Sequence, residues 1–265
     1  EECLWIVMSG IYGLGVNLHR GAYCGRNFEY YSEDGLLAGF ACAYELKGIQ
    51  SKGVFVILKH GLLNDQEDNR HGICTWANEQ SIREIYLLPT EIAVLVGDEA
   101  KTAGMMTGLN RMGAKWCSVQ GFCNTVLRAE FGMQGYIISD FYTKYMDPVS
   151  GVLYGNDLPD GTVAKDSKTY DGVTRNFDDY SVGYGKLAWS MREAAHRVLY
   201  TVVRSSAMNR MTKDTKVVKI TPAWQTALTS LEITFGVLFA LSAVYVVVTI
   251  VLVEKNKQNE ATENE

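Results

Sequence analysis

Asp140 closes the run GYIISDF (135–141), in which aromatic and β-branched residues read as a short buried strand that stops at a carboxylate. A carboxylate at the C-terminal tip of such a strand lies where barrel enzymes keep their chemistry. The same residue could instead cap the helix that follows. A second apolar run, Val54–Leu58, ends in Lys59 and His60. Arg26 sits in a Gly-rich loop behind the alternating residues Leu14, Val16 and Leu18. Ammonium, imidazole and guanidinium groups at strand ends are donors suited to hydroxyls or to a carboxylate. Their bland role would be to satisfy loop backbone. Phe141 adds an aromatic face directly beside Asp140.

The elements that would carry these residues alternate in type. Ser32-Glu33-Asp34 opens a helix through Gln50, with Leu36, Leu37, Phe40, Ala43 and Leu46 on one face. After the Val54–Leu58 strand come a helix from Thr90 to Glu99, a strand at Gly104–Thr107 ending near Asn110, and a helix at Asn124–Phe131. This β–loop–α order predicts a parallel sheet with polar groups at its strand ends. Residues 142–185 lose periodicity and read as a long surface excursion. A helix then runs from Gly185 to Asn209. Leu187, Met191, Ala194, Ala195, Val198, Leu199 and Val202 share one face, with Lys186, Glu193 and Arg197 opposite.

Bulk properties exclude several classes. A net charge of −5 and a pI near 5.5 argue against a nucleic-acid binder. The six cysteines form no CxxC pair and the four histidines have no ligand spacing, so neither a metal site nor a cofactor is read. Ile233–Val253 is an uncharged run of 21 residues, 14 of them Ile, Leu, Phe or Val. Its insertion into a bilayer is favoured by roughly 4–8 kcal/mol, which predicts a single membrane span. A linker at 212–232 precedes it and a polar, disordered tail follows at 254–265. Lys255 and Lys257 beside the span predict a cytoplasmic tail, with the preceding domain on the extracytoplasmic side.

Four ordered blocks carry a family resemblance. GVNLHRGAYCGRNFEYYSED (15–34), GIQSKGVFVILKHGLLNDQEDNR (48–70), SIREIYLLPTEIAV (81–94) and MTGLNRMGAKWCSVQGFCNTVLRAEFGMQGYIISDF (106–141) resemble, in sequence, blocks of glycoside hydrolase family 3, the β-glucosidase family. The resemblance spans residues 10–211 and implies a (β/α)8 barrel, retaining hydrolysis of a β-linked glucoside or short oligosaccharide, and Asp140 as nucleophile. It also implies that Arg26, Lys59 and His60 bind the sugar, that Phe141 stacks against it, and that Arg26 orients a hydroxyl or the nucleophile. Glu29, Asp34, Glu67 and Arg70 are expected to form charge pairs within their loops. This chain departs from the family at Leu109, where a Tyr is usual, at Phe141, where a Trp is usual, and at Gly61, where a Phe is usual. The barrel at 1–211 is expected to be incomplete at its N-terminal side, with the general acid/base supplied by an upstream domain of a larger membrane-anchored enzyme. The alternative expectation is a catalytically inactive, membrane-tethered glycan-binding or scaffold remnant of the same fold.

Overall fold

A computed structural model describes residues 1–141, 146–160, 184–208, 214, 216 and 221–263, with side chains to Lys255 in the last helix. The predicted excursion at 142–185 falls mostly on 142–145 and 161–183, outside the described residues. So do most of the stretch 212–219 and the side chain of Lys257. The chain forms two compact units, Glu1–Arg210 and Met211–Glu265.

Five strands build the main sheet of the first unit. They are β1 (Gly10–Gly15), β2 (Phe55–Gly61), β4 (Gly104–Thr107), β7 (Ile137–Phe141) and β8 (Leu158–Asp160). They lie in the order β1-β2-β4-β7-β8, and every neighbouring pair is parallel. Chain order and spatial order coincide, as in successive strand–helix–strand crossovers. All C-terminal strand ends therefore share one rim. The short strands β3 (Cys74–Thr75), β5 (Arg111–Met112) and β6 (Lys115–Trp116) form a separate three-stranded sheet.

The main sheet is open among the described residues, with β1 and β8 at its edges, so the (β/α)8 barrel, expected to be incomplete in this chain, is not seen as a closed sheet. The first strand lies at Gly10–Gly15, ahead of the expected Leu14–Leu18 alternation. Val16 and Leu18 are buried although they lie beyond the strand end. Gly104 lets β4 approach the entry of β7, because a Cβ there would fall 2.0 Å from the Tyr136 carbonyl oxygen. Val56, Leu58, Met105 and Ile137 from the sheet pack with Cys42, Leu46, Val94, Val126 and Leu127 from the helices into one core.

The helix Gly35–Gln50 starts at its predicted cap. Asp34 accepts from Leu36 N at 2.7 Å and Leu37 N at 3.2 Å, satisfying amides that the first turn leaves free. The buried face differs from the expected one. Ala38, Gly39, Cys42, Ala43 and Leu46 face inward, while Leu36, Leu37 and Phe40 are exposed. Small residues win that face because the helix Leu88–Ile92 and its π-helical continuation Ala93–Gly97 pack almost backbone to backbone against it: a Cβ on Gly97 would stand 2.4 Å from the Ala43 carbonyl oxygen. The segment Cys123–Glu130 is likewise a π-helix.

The helix Gly185–Val203 buries Leu187, Ala194 and Thr201 and exposes Leu199. Arg197, expected on the outer face, instead reaches Asp157 at 2.9 Å, because a buried carboxylate draws a cation inward. In the second unit, the helix Ala223–Glu263 extends beyond the uncharged run in both directions. Residues 254–263, expected to be disordered, continue it, since no Gly or Pro interrupts them and Ala, Glu, Gln and Lys favour helix. Among the described residues, Ala223–Lys255 is the one helix long and apolar enough to cross a membrane.

Candidate active site

The rim of the sheet gathers the residues singled out above. Asp140 lies on β7, next to its last residue, and is 5% exposed. Its Oδ1 accepts from Phe141 N at 2.7 Å, while Oδ2 is buried and has no hydrogen-bond partner among the described residues. Two nitrogens stand 3.9 Å from Oδ2, Nε2 of His60 and Nη1 of Arg70. Phe141, at the tip of the same strand, is 67% exposed, so its ring is free to meet a ligand face.

Lys59 and His60 come from β2, two positions across the sheet from β7. Asn17 clamps the His60 backbone from both sides, accepting from its N at 2.7 Å and donating to its carbonyl oxygen at 3.1 Å. Burial holds the His60 imidazole well below its ordinary pKa, and the positive charges of Arg26, Lys59 and Arg70 push the same way. The ring is therefore neutral near pH 7, and its approach to Asp140 is a dipole contact rather than an ion pair.

Charges around this pair form a chain of contacts. Glu29 joins Arg26 and Lys59, the latter at 2.9 Å. Burial opposes ionisation of Glu29, yet hydrogen bonds from Arg26 and Lys59 outweigh it and lower its pKa. Glu67 accepts from Arg70 at 2.9 Å, from Asn64 at 3.2 Å and from Arg26 at 3.4 Å. Arg26 thus pairs with glutamates, and the guanidinium that approaches Asp140 is Arg70. Glu67 and Arg70 do form the expected pair within their loop, but both also reach outside it. Glu29 does the same through Lys59. Leu109 is fully buried with Trp116, Val119 and Met146, so hydrocarbon fills a position where the resemblance expects a phenol. The six cysteines are free thiols in the structure.

No family model matches the chain. Over 204 residues, 76% of its length, it is 35% identical to thermostable β-glucosidase B of Acetivibrio thermocellus. The structure of β-glucosidase 3B from Thermotoga neapolitana in complex with glucose superimposes with a TM-score of 0.69, at 32% identity over 79% of this chain. This chain is similar to part of a β-glucosidase. The GH3 β-glucosidase of Bifidobacterium adolescentis gives a TM-score of 0.64 at 28% identity, covering 82% of this chain and 30% of that one. The likeness is confined to a portion of each β-glucosidase, for this chain spans 26% of the length of the A. thermocellus enzyme and 29% of the T. neapolitana chain.

The sequence reading did not single out Asn17 and Tyr30 at this rim, and it gave Arg70 only a charge pair within its loop. Each lies inside a quoted block, but no local spacing signals that residues so far apart in sequence converge on Asp140 or His60. Asp65, in the same loop as Glu67, also stands out. Burial pushes its carboxyl up to about 6, against a lowering by Arg20. Its folded pKa exceeds the ordinary 3.8, so folding favours the protonated form. That contribution is complete below the ordinary value and is lost as pH rises through about 6. Asp65→Asn is therefore expected to raise stability at pH 7 by roughly 2 kcal/mol and to change it little at pH 3.5. Urea unfolding of both proteins at the two pH values checks this.

Proposed function

We propose that this chain is part of a retaining β-glucosidase of glycoside hydrolase family 3, with Asp140 as its nucleophile. The observation that carries the reading is the Oδ2 atom of Asp140, a buried carboxylate oxygen on the strand-end rim without a hydrogen-bond partner among the described residues, flanked at 3.9 Å by nitrogens of His60 and Arg70. Buried acceptors are ordinarily satisfied, so an orphan at such a rim fits one kept for a substrate.

With Oδ1 held by the Phe141 amide, Oδ2 is the attacking atom. It bonds to C1 of the glucoside while the C1–O bond to the leaving group breaks, and a general acid protonates the departing oxygen. Water, deprotonated by the same group, then attacks C1, frees Asp140 and returns the β configuration. Arg26, Lys59 and His60 bind sugar hydroxyls, and the exposed ring of Phe141 stacks on the sugar's apolar face. We assign the general acid/base to a part of the protein outside this chain, since the chain spans 26% of its A. thermocellus relative. The open sheet is read as part of a (β/α)8 barrel. The helix Ala223–Lys255 is read as a single membrane anchor, with the catalytic unit on the extracytoplasmic side.

The test is hydrolysis of an aryl β-glucoside by the full-length protein, followed by proton NMR of the first sugar released. β-Glucose appearing first is expected. α-Glucose appearing first refutes the double displacement, and sugar binding by a folded protein without turnover favours the inactive remnant.

A further inference from the structure

The hydroxyl of Tyr30 lies 3.3 Å from Nδ1 of His60, with the two rings edge to face at a centroid distance of 6.3 Å. Tyr30 is itself anchored through its backbone. It pairs with Gly15 in an isolated parallel bridge, and its carbonyl oxygen is 2.9 Å from Nε2 of His19. Gly15 permits that approach, because a Cβ there would stand 2.6 Å from Cδ1 of Tyr30. The other ring nitrogen, Nε2, lies 3.9 Å from Oδ2 of Asp140. The His60 backbone is clamped by Asn17 and the residue is 2% exposed, so the ring has little room to turn and its tautomer becomes the question.

A neutral imidazole has one N–H and one lone pair, so the two tautomers present opposite polarity to Asp140. With the proton on Nδ1, the Nε2 lone pair would face a buried, unpartnered carboxylate oxygen, and the two would repel. With the proton on Nε2, an N–H faces that oxygen, and Nδ1 is left to accept from Tyr30. Burial raises the Tyr30 phenol well above its ordinary value, so its proton stays in place to be donated.

We propose that Tyr30 is a positioning residue that fixes His60 as the Nε2–H tautomer, so that a neutral donor faces Asp140 and the substrate hydroxyl entering beside it. This rests on the reading of Asp140 as nucleophile. A separation of 3.9 Å is too long for a direct hydrogen bond. A sugar hydroxyl, being both acceptor and donor, can take the Nε2–H and give its own proton to Oδ2. A histidine of mixed tautomer would present the wrong polarity to that hydroxyl part of the time. A cationic one would bind Asp140 in the substrate's place.

Nitrogen-15 spectra of the histidine side chains test this without any reliance on catalysis. The labelled full chain is studied in detergent micelles at pH 7, and His60 is assigned by the signal lost in His60→Gln. The expected result is a neutral ring protonated at Nε2, shifting toward a mixture of tautomers in Tyr30→Phe, which keeps the ring contact and loses the hydroxyl. In the full-length protein, Tyr30→Phe is expected to lower kcat on an aryl β-glucoside about ten-fold while changing KM less than about two-fold. A wild-type ring protonated at Nδ1, an imidazolium, or a tautomer unmoved by Tyr30→Phe overturns the proposal. The wild-type spectrum decides even where the variant does not fold. A full-length protein with the expected spectrum and no turnover would sink the glucosidase reading and leave the tautomer assignment standing.

Discussion

Replacing Asp140 with alanine is expected to cut kcat/KM on an aryl β-glucoside by about four orders of magnitude, equivalent to about 5.5 kcal/mol of transition-state stabilisation. The size follows from the proposed role. For the proposed nucleophile, Glu29 and Glu67 are poor substitutes, because both are engaged with cations. Folding should survive, because the hydrogen bond lost is the local one from Phe141 N to Oδ1, and Oδ2 has no hydrogen-bond partner among the described residues. The Arg70 guanidinium keeps Glu67 at 2.9 Å. Azide should restore part of the lost kcat by entering the space vacated by the carboxylate, and the product should be the α-glucosyl azide, inverted because one displacement replaces two. Initial rates and product NMR decide it. A variant that retains more than about a tenth of wild-type kcat/KM would show that another group attacks C1.

The second large effect is structural. Asp157→Ala is expected to destabilise the first unit by about 3–5 kcal/mol, the usual consequence of removing one partner from a buried ion pair. The Asp157 side chain is 1% exposed and serves three donors: Ile137 N at 2.8 Å, Arg197 at 2.9 Å, and Arg128. Arg128 also donates to the Gly135 and Gly155 carbonyl oxygens at 3.1 and 3.3 Å. One carboxylate therefore ties the start of β7, the approach to β8, the π-helix Cys123–Glu130 and the helix Gly185–Val203. Without it, two guanidiniums lose their counter-charge in a poorly solvated place. Asp157→Asn, which keeps the shape and one acceptor, should cost less than the alanine variant. Denaturant midpoints report both losses, and a loss below about 1 kcal/mol for the alanine would mean that water or relaxation compensates the arginines.

Some of this structure is legible in the sequence. Asp34 caps its helix where predicted, Gly104–Thr107 is the strand expected, and the run before Asp140 is a buried strand. These depend on interactions within a few residues: an amide seeking a carboxylate, or β-branched side chains seeking a sheet. The buried face of Gly35–Gln50 was not legible, because apolar residues surround that helix and only the neighbouring helix selects the small ones. Arg197 was misdirected for the same reason, since a charge reads as solvent-facing until a buried carboxylate is known to lie opposite.

The sequence by itself determined which chemistries were on hand: a carboxylate, an imidazole, an ammonium and a guanidinium at or near strand ends, in an order resembling a known glycosidase family. Tertiary structure decided which of them meet. Parallel pairing brings the ends of β2 and β7 to one rim, so that His60 and Arg70 stand 3.9 Å from Asp140 although some 80 and 70 positions separate them along the chain. Arg26, Lys59 and Glu29 form their own cluster beside it. A local pattern fixes backbone propensity and burial within a turn or two. Contacts between distant segments arise from how sheet and helices close on a shared core, and no short stretch of chain contains that information.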